Sequence, residues 1–462
     1  MKLSFYGAAK IVTGSNYLLE IGNKKILIDC GLFQGRKKIE EKNYEPFPYQ
    51  AKDIDFVLIT HAHLDHTGRL PKLFNSGFKG KLFATAPTID FMGFMLEDSQ
   101  KILHQKAIRR GLSLNWDNQK IKDLMNRFEA VGYREDVDLG SNIKFRFREA
   151  GHVLGSASIE LEAEGLKIVF SGDLGYPDAP IINDPANIEN ADYLIVESTY
   201  GDRIHDIRGN IKDSLEEIIE RTINRGGVLM IPSFALERTQ RLLYHFNDLV
   251  ENKKIPSIPI FVDSPLAIKL TEIYRKYPEY YDKDAYRLFS SGDDIFNFPG
   301  LELTLTTNRS KRINEVLGPK IIIAGSGMSQ GGRIIHHELR YLSDPKNTLL
   351  FVTYQAEGTL GRKIFNGAKN IRILRKNVEV NAEIARVDGY SSHADQKSLL
   401  KWISGISEKS PKLKKIFVCH GEEKASEVLS NKIFNDLSLN SVVPELGQSI
   451  TLTKDNKDSK LN

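Results

Sequence analysis

Cysteine is nearly absent: Cys30 and Cys419 are the only two in 462 residues. Two thiols cannot form a disulfide framework for so long a chain, so a secreted cystine scaffold is excluded and buried free thiols in a reducing compartment are expected. Long hydrophobic runs are missing too. No stretch approaches the roughly 18 to 20 apolar residues of a membrane span. The opening MKLSFYGAAKIVTGSNYLLE alternates apolar and polar residues like a strand and lacks the basic, apolar and small-residue series of a secretory leader. A cytoplasmic protein with no membrane partner is therefore expected. Charge of one sign is scarce as well, the net value being +4, which neither demands nor excludes a nucleic-acid partner. No internal repeat or low-complexity tract occurs.

What is present is the composition of a globular protein, 41% hydrophobic and 27% charged, long enough for two or three compact units. Local basic stretches at Lys101 to Arg110 (KILHQKAIRR) and Asn308 to Arg312 (NRSKR) could line a groove for a polyanion, although for each alone solvated helix faces and loops are the favoured explanation. The first two hundred residues read as short strands between Gly-rich turns, with a helical patch near Ile89 to Lys106. Several apolar runs end in reactive residues: FVLIT before His61, KIVFSG before Asp173, YLIV before Glu197 and KIFVC before His420. Such runs suit strands buried on both faces, which gathers the polar residues at one sheet edge.

From about 205 to 370 helices and strands alternate (DSLEEIIERTINRGG, VLMIPSF, ERTQRLLYHFNDLVE, IPIFVDSP, IIIAGSG, LLFVTYQ), which predicts a separate α/β unit with a largely parallel sheet. VEVNAEIARVDGYSSHAD and KKIFVCHGE return to the first style, so the α/β unit reads as an insertion. The expected boundaries are 1–204 and 371–452 for the divided domain, 205–370 for the insert and 453–462 for a charged, frayed tail.

The densest chemistry is His61-Ala-His-Leu-Asp-His66, directly after a strand. Zinc favours imidazole nitrogen and carboxylate oxygen, and four such groups in six residues can serve two ions. Alternate residues of an extended turn face the same way, so His61 and His63 can share one ion, leaving Asp65 and His66 for another. Further donors are expected at other strand ends, and His152, Asp173 and His420 are the candidates. Of eleven histidines, His61, His63, His66, His152, His393 and His420 lie in Gly- or Ser-flanked turns, whereas His104, His205, His245, His336 and His337 do not and are assigned structural roles.

The series Asp29, His61-x-His63-x-Asp65-His66, His152, Asp173 resembles the metallo-β-lactamase motifs. Glu197 in VESTYGDR, His393 in GYSSHAD and His420 in VCHGE resemble the three additional motifs of the β-CASP nucleases, and PSFALERTQ, VDSPLA, GSGMSQGGR and YQAEGTLGR are similar to stretches of that family's inserted domain. HAHLDHTGRLP is more similar to the cleavage and polyadenylation endonuclease subgroup, with its short bacterial and archaeal relatives, than to RNase J. The resemblance implies an α/β fold in which an αββα metallo-β-lactamase sandwich is divided by a β-CASP domain. It implies two zinc ions, one held by His61, His63 and His152, the other by Asp65, His66 and His420, with Asp173 bridging and Asp65 counted also among the catalytic residues. Asp29 would orient a ligand from behind by hydrogen bonding, unless it is merely a turn aspartate. His393, paired with Glu197, would stand at the leaving group.

These parts imply hydrolysis of single-stranded RNA: two zinc ions make hydroxide from a bridging water at neutral pH, His393 protonates the departing 3′ oxygen, and the ends are 5′-phosphate and 3′-hydroxyl. The ligand cluster alone would suit a small ester or thioester equally well, so the substrate class rests on the insert and on His393. A non-catalytic RNA-binding scaffold is the third reading, disfavoured because every expected ligand is present. The backbone around Ser326 and Gly327 could face a phosphate or simply form a tight turn, and Arg238 and Arg362 could pair with RNA phosphates. A homodimer is compatible with the sequence.

Overall fold

A computed structural model describes residues 1–108, 111, 117–205 and 210–454. Arg109 and Arg110 of the first basic stretch, and positions 455–462 of the expected tail, lie outside the described residues. The chain divides into two compact units, Met1–Ile204 with His393–Asn462, and His205–Ser392.

The divided unit holds two seven-stranded sheets. In the first, Lys24–Ile28, Phe56–Leu58 and Lys81–Ala84 run parallel, and the strand Lys2–Phe5 pairs on one side with Tyr17–Ile21 and on the other with Ser449–Thr451 from the far end of the chain. In the second, Leu166–Phe170, Tyr193–Glu197 and Lys415–Cys419 are parallel neighbours. Strand side chains alternate between faces. Thus Tyr193, Ile195, Phe417 and Cys419 join a core shared with Leu3, Phe5, Tyr17 and Ile28 of the other sheet, while Leu194, Val196, Ile416 and Val418 pack on Leu399, Ile403, Leu429 and Ile433 of the helices Gln396–Glu408 and Glu423–Leu437. Both cysteines are buried and free, with burial raising the Cys30 thiol to about 12. No helix among the described residues is long and apolar enough to cross a membrane.

The second unit is built on a six-stranded sheet, all of whose pairings are parallel, in the order Leu301–Leu303, Ile260–Asp263, Lys320–Ala324, Val228–Pro232, Thr348–Phe351, Glu383–Arg386. Its end corrects the sequence expectation. Residues 371–392 belong here and not with the divided domain. Glu383–Arg386 extends this sheet beside Thr348–Phe351, and Ile371, Ile373, Val378 and Val380 of the hairpin before it pack against Leu349, Phe351 and Ile364. An alternating pattern says that a strand has a buried face but not which core receives it.

One buried acid in this unit has a measurable consequence. Glu338 accepts a hydrogen bond from the Ser329 hydroxyl, its Oε2 has no hydrogen-bond partner, and burial raises its pKa from 4.5 to about 8. Between these values the unfolded chain releases a proton that the folded chain keeps, so this group lowers stability as pH rises through that window. Glu338→Gln should flatten the dependence and stabilise the protein at pH 8 by on the order of a few kcal/mol. Urea unfolding of both proteins at pH 5.5 and pH 8 checks this; equal differences at the two values would show that Glu338 is ionised in the fold.

Candidate functional site

The carboxyl ends of the parallel strands place the reactive side chains. Lys24–Ile28 delivers Asp29, Phe56–Leu58 leads into Thr60 and His61, Leu166–Phe170 leads into Asp173, Glu197 closes its own strand, and Lys415–Cys419 delivers His420. Asp29 and His420 both adopt left-handed backbone, with φ of 59° and 47°. That conformation is costly for a residue with a side chain and persists where surrounding contacts enforce it. Two glycines let the turns close. A Cβ on Gly31 would lie 1.5 Å from the Asp65 carbonyl oxygen, and one on Gly175 would lie 1.6 Å from that of Gly151, so only glycine allows the metal-motif turn to approach the Asp29 turn and the Asp173 turn to approach His152.

The seven candidate ligands converge. Nδ1 of His63 lies 3.1 Å from Nε2 of His61 and 3.1 Å from Nε2 of His152, while Oδ2 of Asp173 is 3.5 Å and 3.6 Å from the latter two. On its other side, Asp173 Oδ1 is 3.3 Å from His66 Nε2 and 3.5 Å from His420 Nδ1. His66 and His420 face each other through their Nε2 atoms at 3.0 Å, and Asp65 Oδ2 is 3.6 Å from His420 Nε2. Donor atoms of His61, His63, His152 and Asp173 thus form one group suited to a cation, those of Asp65, His66 and His420 a second, and those of Asp173, Glu197 and His393 a third. Asp173 Oδ1 is buried yet accepts no well-formed hydrogen bond. A carboxylate oxygen in that state among facing imidazole nitrogens fits divalent cations, which replace the missing partner. Burial lowers the pKa of His61 and brings that of His63 to about 4, leaving both rings neutral with a lone pair to donate.

Asp29 lies behind this cluster. Its Oδ2 is 2.7 Å from Nδ1 of His66, and its carboxylate accepts from the Thr60 amide at 2.8 Å and the Ser15 hydroxyl at 3.2 Å. The Thr60 hydroxyl, a group that sequence reasoning missed, sits 2.9 Å from Asp29 Oδ2 and 3.1 Å from Nδ1 of His61. Its only sequence signal is its position immediately before the histidine motif. Thr199 was missed likewise; its hydroxyl is 3.3 Å from Nδ1 of His420.

His393 Nδ1 stands 3.2 Å from Glu197 Oε1 and 3.9 Å from Asp173 Oδ2. Burial alone would lower the pKa of this imidazole, but the Glu197 carboxylate, followed by Asp173, raises it to about 9. Glu197 is itself fixed, accepting from the amides of Leu174 at 2.7 Å and Thr199 at 3.2 Å.

Comparison with known proteins finds matches along most of the chain. Residues 10–226 match the metallo-beta-lactamase superfamily, 239–364 the Beta-Casp domain, and 377–444 the Zn-dependent metallo-hydrolase RNA specificity domain. Ribonuclease TTHA0252 of Thermus thermophilus is 37% identical over 455 residues, covering 98% of each chain. The chain belongs to the β-CASP ribonuclease family of the metallo-β-lactamase superfamily. An RNase J-like protein of Methanocaldococcus jannaschii is 32% identical over 96% of this chain and 98% of its own, and the transcription termination factor FttA of Methanosarcina mazei is 31% identical over 95% and 70%. A crystal structure of a protein of unknown function from Enterococcus faecalis V583 shares the fold at a TM-score of 0.56 and 13% identity, over 98% of this chain and 99% of that one.

Within this β-CASP ribonuclease the four weaker RNA-contact candidates are not alike. Arg238 is largely buried, with Nε 4.0 Å from Glu237, and Gly327 is buried with its carbonyl accepting from Thr353 and Gln355. Packing leaves both largely withdrawn from solvent. The Ser326 amide is committed to Gly331 O at 3.2 Å, which favours the plain tight-turn reading there. Arg362 remains half-exposed, Nη1 lying 3.5 Å from Gln355 O. The histidines assigned structural roles include His245, whose Nδ1 is 2.7 Å from the Tyr390 hydroxyl, and His337, whose Nε2 is 2.8 Å from Asp263.

Proposed function

We propose that this β-CASP ribonuclease hydrolyses single-stranded RNA with two zinc ions, one held by His61, His63 and His152 and the other by Asp65, His66 and His420, with Asp173 shared between them and His393 as general acid. The observation that carries this reading is the two-sided setting of Asp173, each of whose oxygens faces a different group of imidazoles. Two such ions, when bound, ease deprotonation of water and offset charge on a phosphodiester.

The chain's own residues supply the rest. Asp29 accepts from Nδ1 of His66 and so fixes the tautomer that leaves Nε2 free to donate its lone pair. Asp65 draws on His420 in the same way that Asp173 draws on both groups, holding the rings in place. Glu197 takes Nδ1 of His393, so the transferable proton sits on Nε2 and is present at neutral pH. On attack by water the P–O3′ bond breaks, the water oxygen stays on phosphorus, the His393 proton goes to O3′, and the proton lost by water returns His393 to its imidazolium form. The products are a 5′-phosphate and a 3′-hydroxyl.

Family membership and the relatives named as ribonucleases favour RNA over small esters. Zinc-loaded protein incubated with RNA labelled at either end should yield sized products that distinguish internal cuts from stepwise removal. Substrate binding should weaken as salt rises, because phosphate contacts release counterions. Cleavage of matched single-stranded DNA at an equal or higher rate would overturn the RNA assignment, and no cleavage of either would overturn the enzyme.

A further inference from the structure

The proposed general acid directly follows the last residue of the second unit: that unit ends at Ser392, and His393 opens the return of the chain to the divided one. Downstream, its backbone is held by the Ala394 amide, which donates to Leu174 O at 2.8 Å; the Leu174 amide in turn donates to Glu197, the carboxylate that holds the imidazole. Upstream, the hold comes from the helix Arg238–Glu251 of the second unit. Arg241, on its first turn, is fully buried. Its Nη2 donates to Gly389 O at 2.9 Å and its Nη1 to Ser391 O at 3.2 Å, so one guanidinium grips the backbone on both sides of Tyr390. The Tyr390 ring faces that guanidinium, 5.4 Å from Cζ to the ring centroid, and its hydroxyl is 2.7 Å from Nδ1 of His245, one helical turn beyond Arg241.

A buried guanidinium is tolerated only when its charge is paired and its N–H groups are bonded. Glu237 supplies the charge, accepting from Nη1 at 3.1 Å, and does so from left-handed backbone with φ of 67°. Such a conformation persists where surrounding contacts enforce it. The remaining donors go to main-chain carbonyls of residues 389 and 391, which carry no metal donor and lead, two residues later, to His393. Two stretches marked in the sequence, PSFALERTQ and GYSSHAD, are thereby joined through the arginine that follows the first.

We propose that Arg241 is a positioning residue for His393: by fixing the carbonyls of Gly389 and Ser391 it sets the backbone from which His393 extends, and so the reach of the imidazole proton to the departing 3′ oxygen. The inference rests on the reading of His393 as general acid. Arg241 itself, fully buried, offers no atom to RNA.

Turnover of the metal-loaded full chain on two short oligoribonucleotides of one sequence tests it, one with ordinary linkages and one with sulfur in place of each O3′, a leaving group that departs without needing a proton. Arg241→Lys keeps the charge beside Glu237, but a single ammonium cannot reproduce the forked grip on two carbonyls. It should lower kcat on ordinary RNA by about tenfold to a hundredfold with KM little changed, the scale on which small misplacements of a reacting group act. On the sulfur-bridged RNA it should lose far less. His393→Ala, measured alongside, should show the same selectivity with a larger loss. Tyr390→Phe, which keeps the ring against Arg241 and removes only the hydroxyl bonded to His245, should show a smaller loss of the same kind, and it decides the matter if melting shows that Arg241→Lys does not fold. Equal losses on the two substrates, a rise in KM alone or unchanged turnover, with the selectivity of His393→Ala intact, would overturn the positioning role and leave the general acid standing. If His393→Ala loses equally on both substrates, or the wild type cuts neither, the reading of His393 falls and the positioning role falls with it.

Discussion

Asp173→Ala should strip the protein of bound metal and of activity together. The wild type is expected to carry about two zinc ions per chain, given donor sets of the size described. Among the described residues Asp173 is the one carboxylate that lies within 3.6 Å of donor nitrogens from both groups, so its removal weakens both sites at once. Loss of the metals removes several kcal/mol of transition-state charge stabilisation, which corresponds to a fall in turnover of about 10³-fold or more. The fold should survive, since Gly175 and the strand Leu166–Phe170 still close the turn. Elemental analysis, turnover and melting temperature on one sample check this. A variant that keeps both ions, or an active wild type without zinc, iron or manganese, would end the two-metal reading.

His393→Ala should slow cleavage by about 10² to 10⁴ while leaving zinc content nearly unchanged, the usual scale for loss of a general acid. The geometry makes the competing outcome explicit, because His393, Glu197 and Asp173 also form a group with metal-holding spacing. Loss of zinc in His393→Ala would make His393 a ligand, unfolding would make it structural, and near wild-type turnover would remove it from the mechanism. Glu197→Gln needs more care than its similar shape suggests. Both carboxylate oxygens accept backbone amides, from Leu174 and Thr199, and an amide group must turn a donor toward one of them. Such a buried mismatch costs about 1 to 3 kcal/mol, so Glu197→Gln should lower the melting temperature as well as turnover, with a smaller loss of turnover than His393→Ala.

Much of the site was legible in the linear order of residues because its signals are local. Four donors between His61 and His66 share one turn by chain connectivity alone, and apolar runs ending at His61, Asp173, Glu197 and His420 mark strand ends whatever their partners are. The insertion was legible for the same reason, since alternating helix and strand patterns need no knowledge of neighbours. Only tertiary structure decided which core each pattern joins. The segment 371–392 reads like the strands of the divided domain, yet pairing with Thr348–Phe351 assigns it to the second unit. Thr60 carries only its place before the histidine motif and Thr199 no distinguishing pattern, and their hydroxyls matter because folding sets them against Asp29 and His420. Arg238 and Gly327 look available in sequence and are buried, whereas Phe234 and Tyr354 close apolar strand runs and stand exposed. Spacing along the chain determines which groups share a turn; exposure depends on what packs against them from other segments, and a sequence carries that information only through the completed fold.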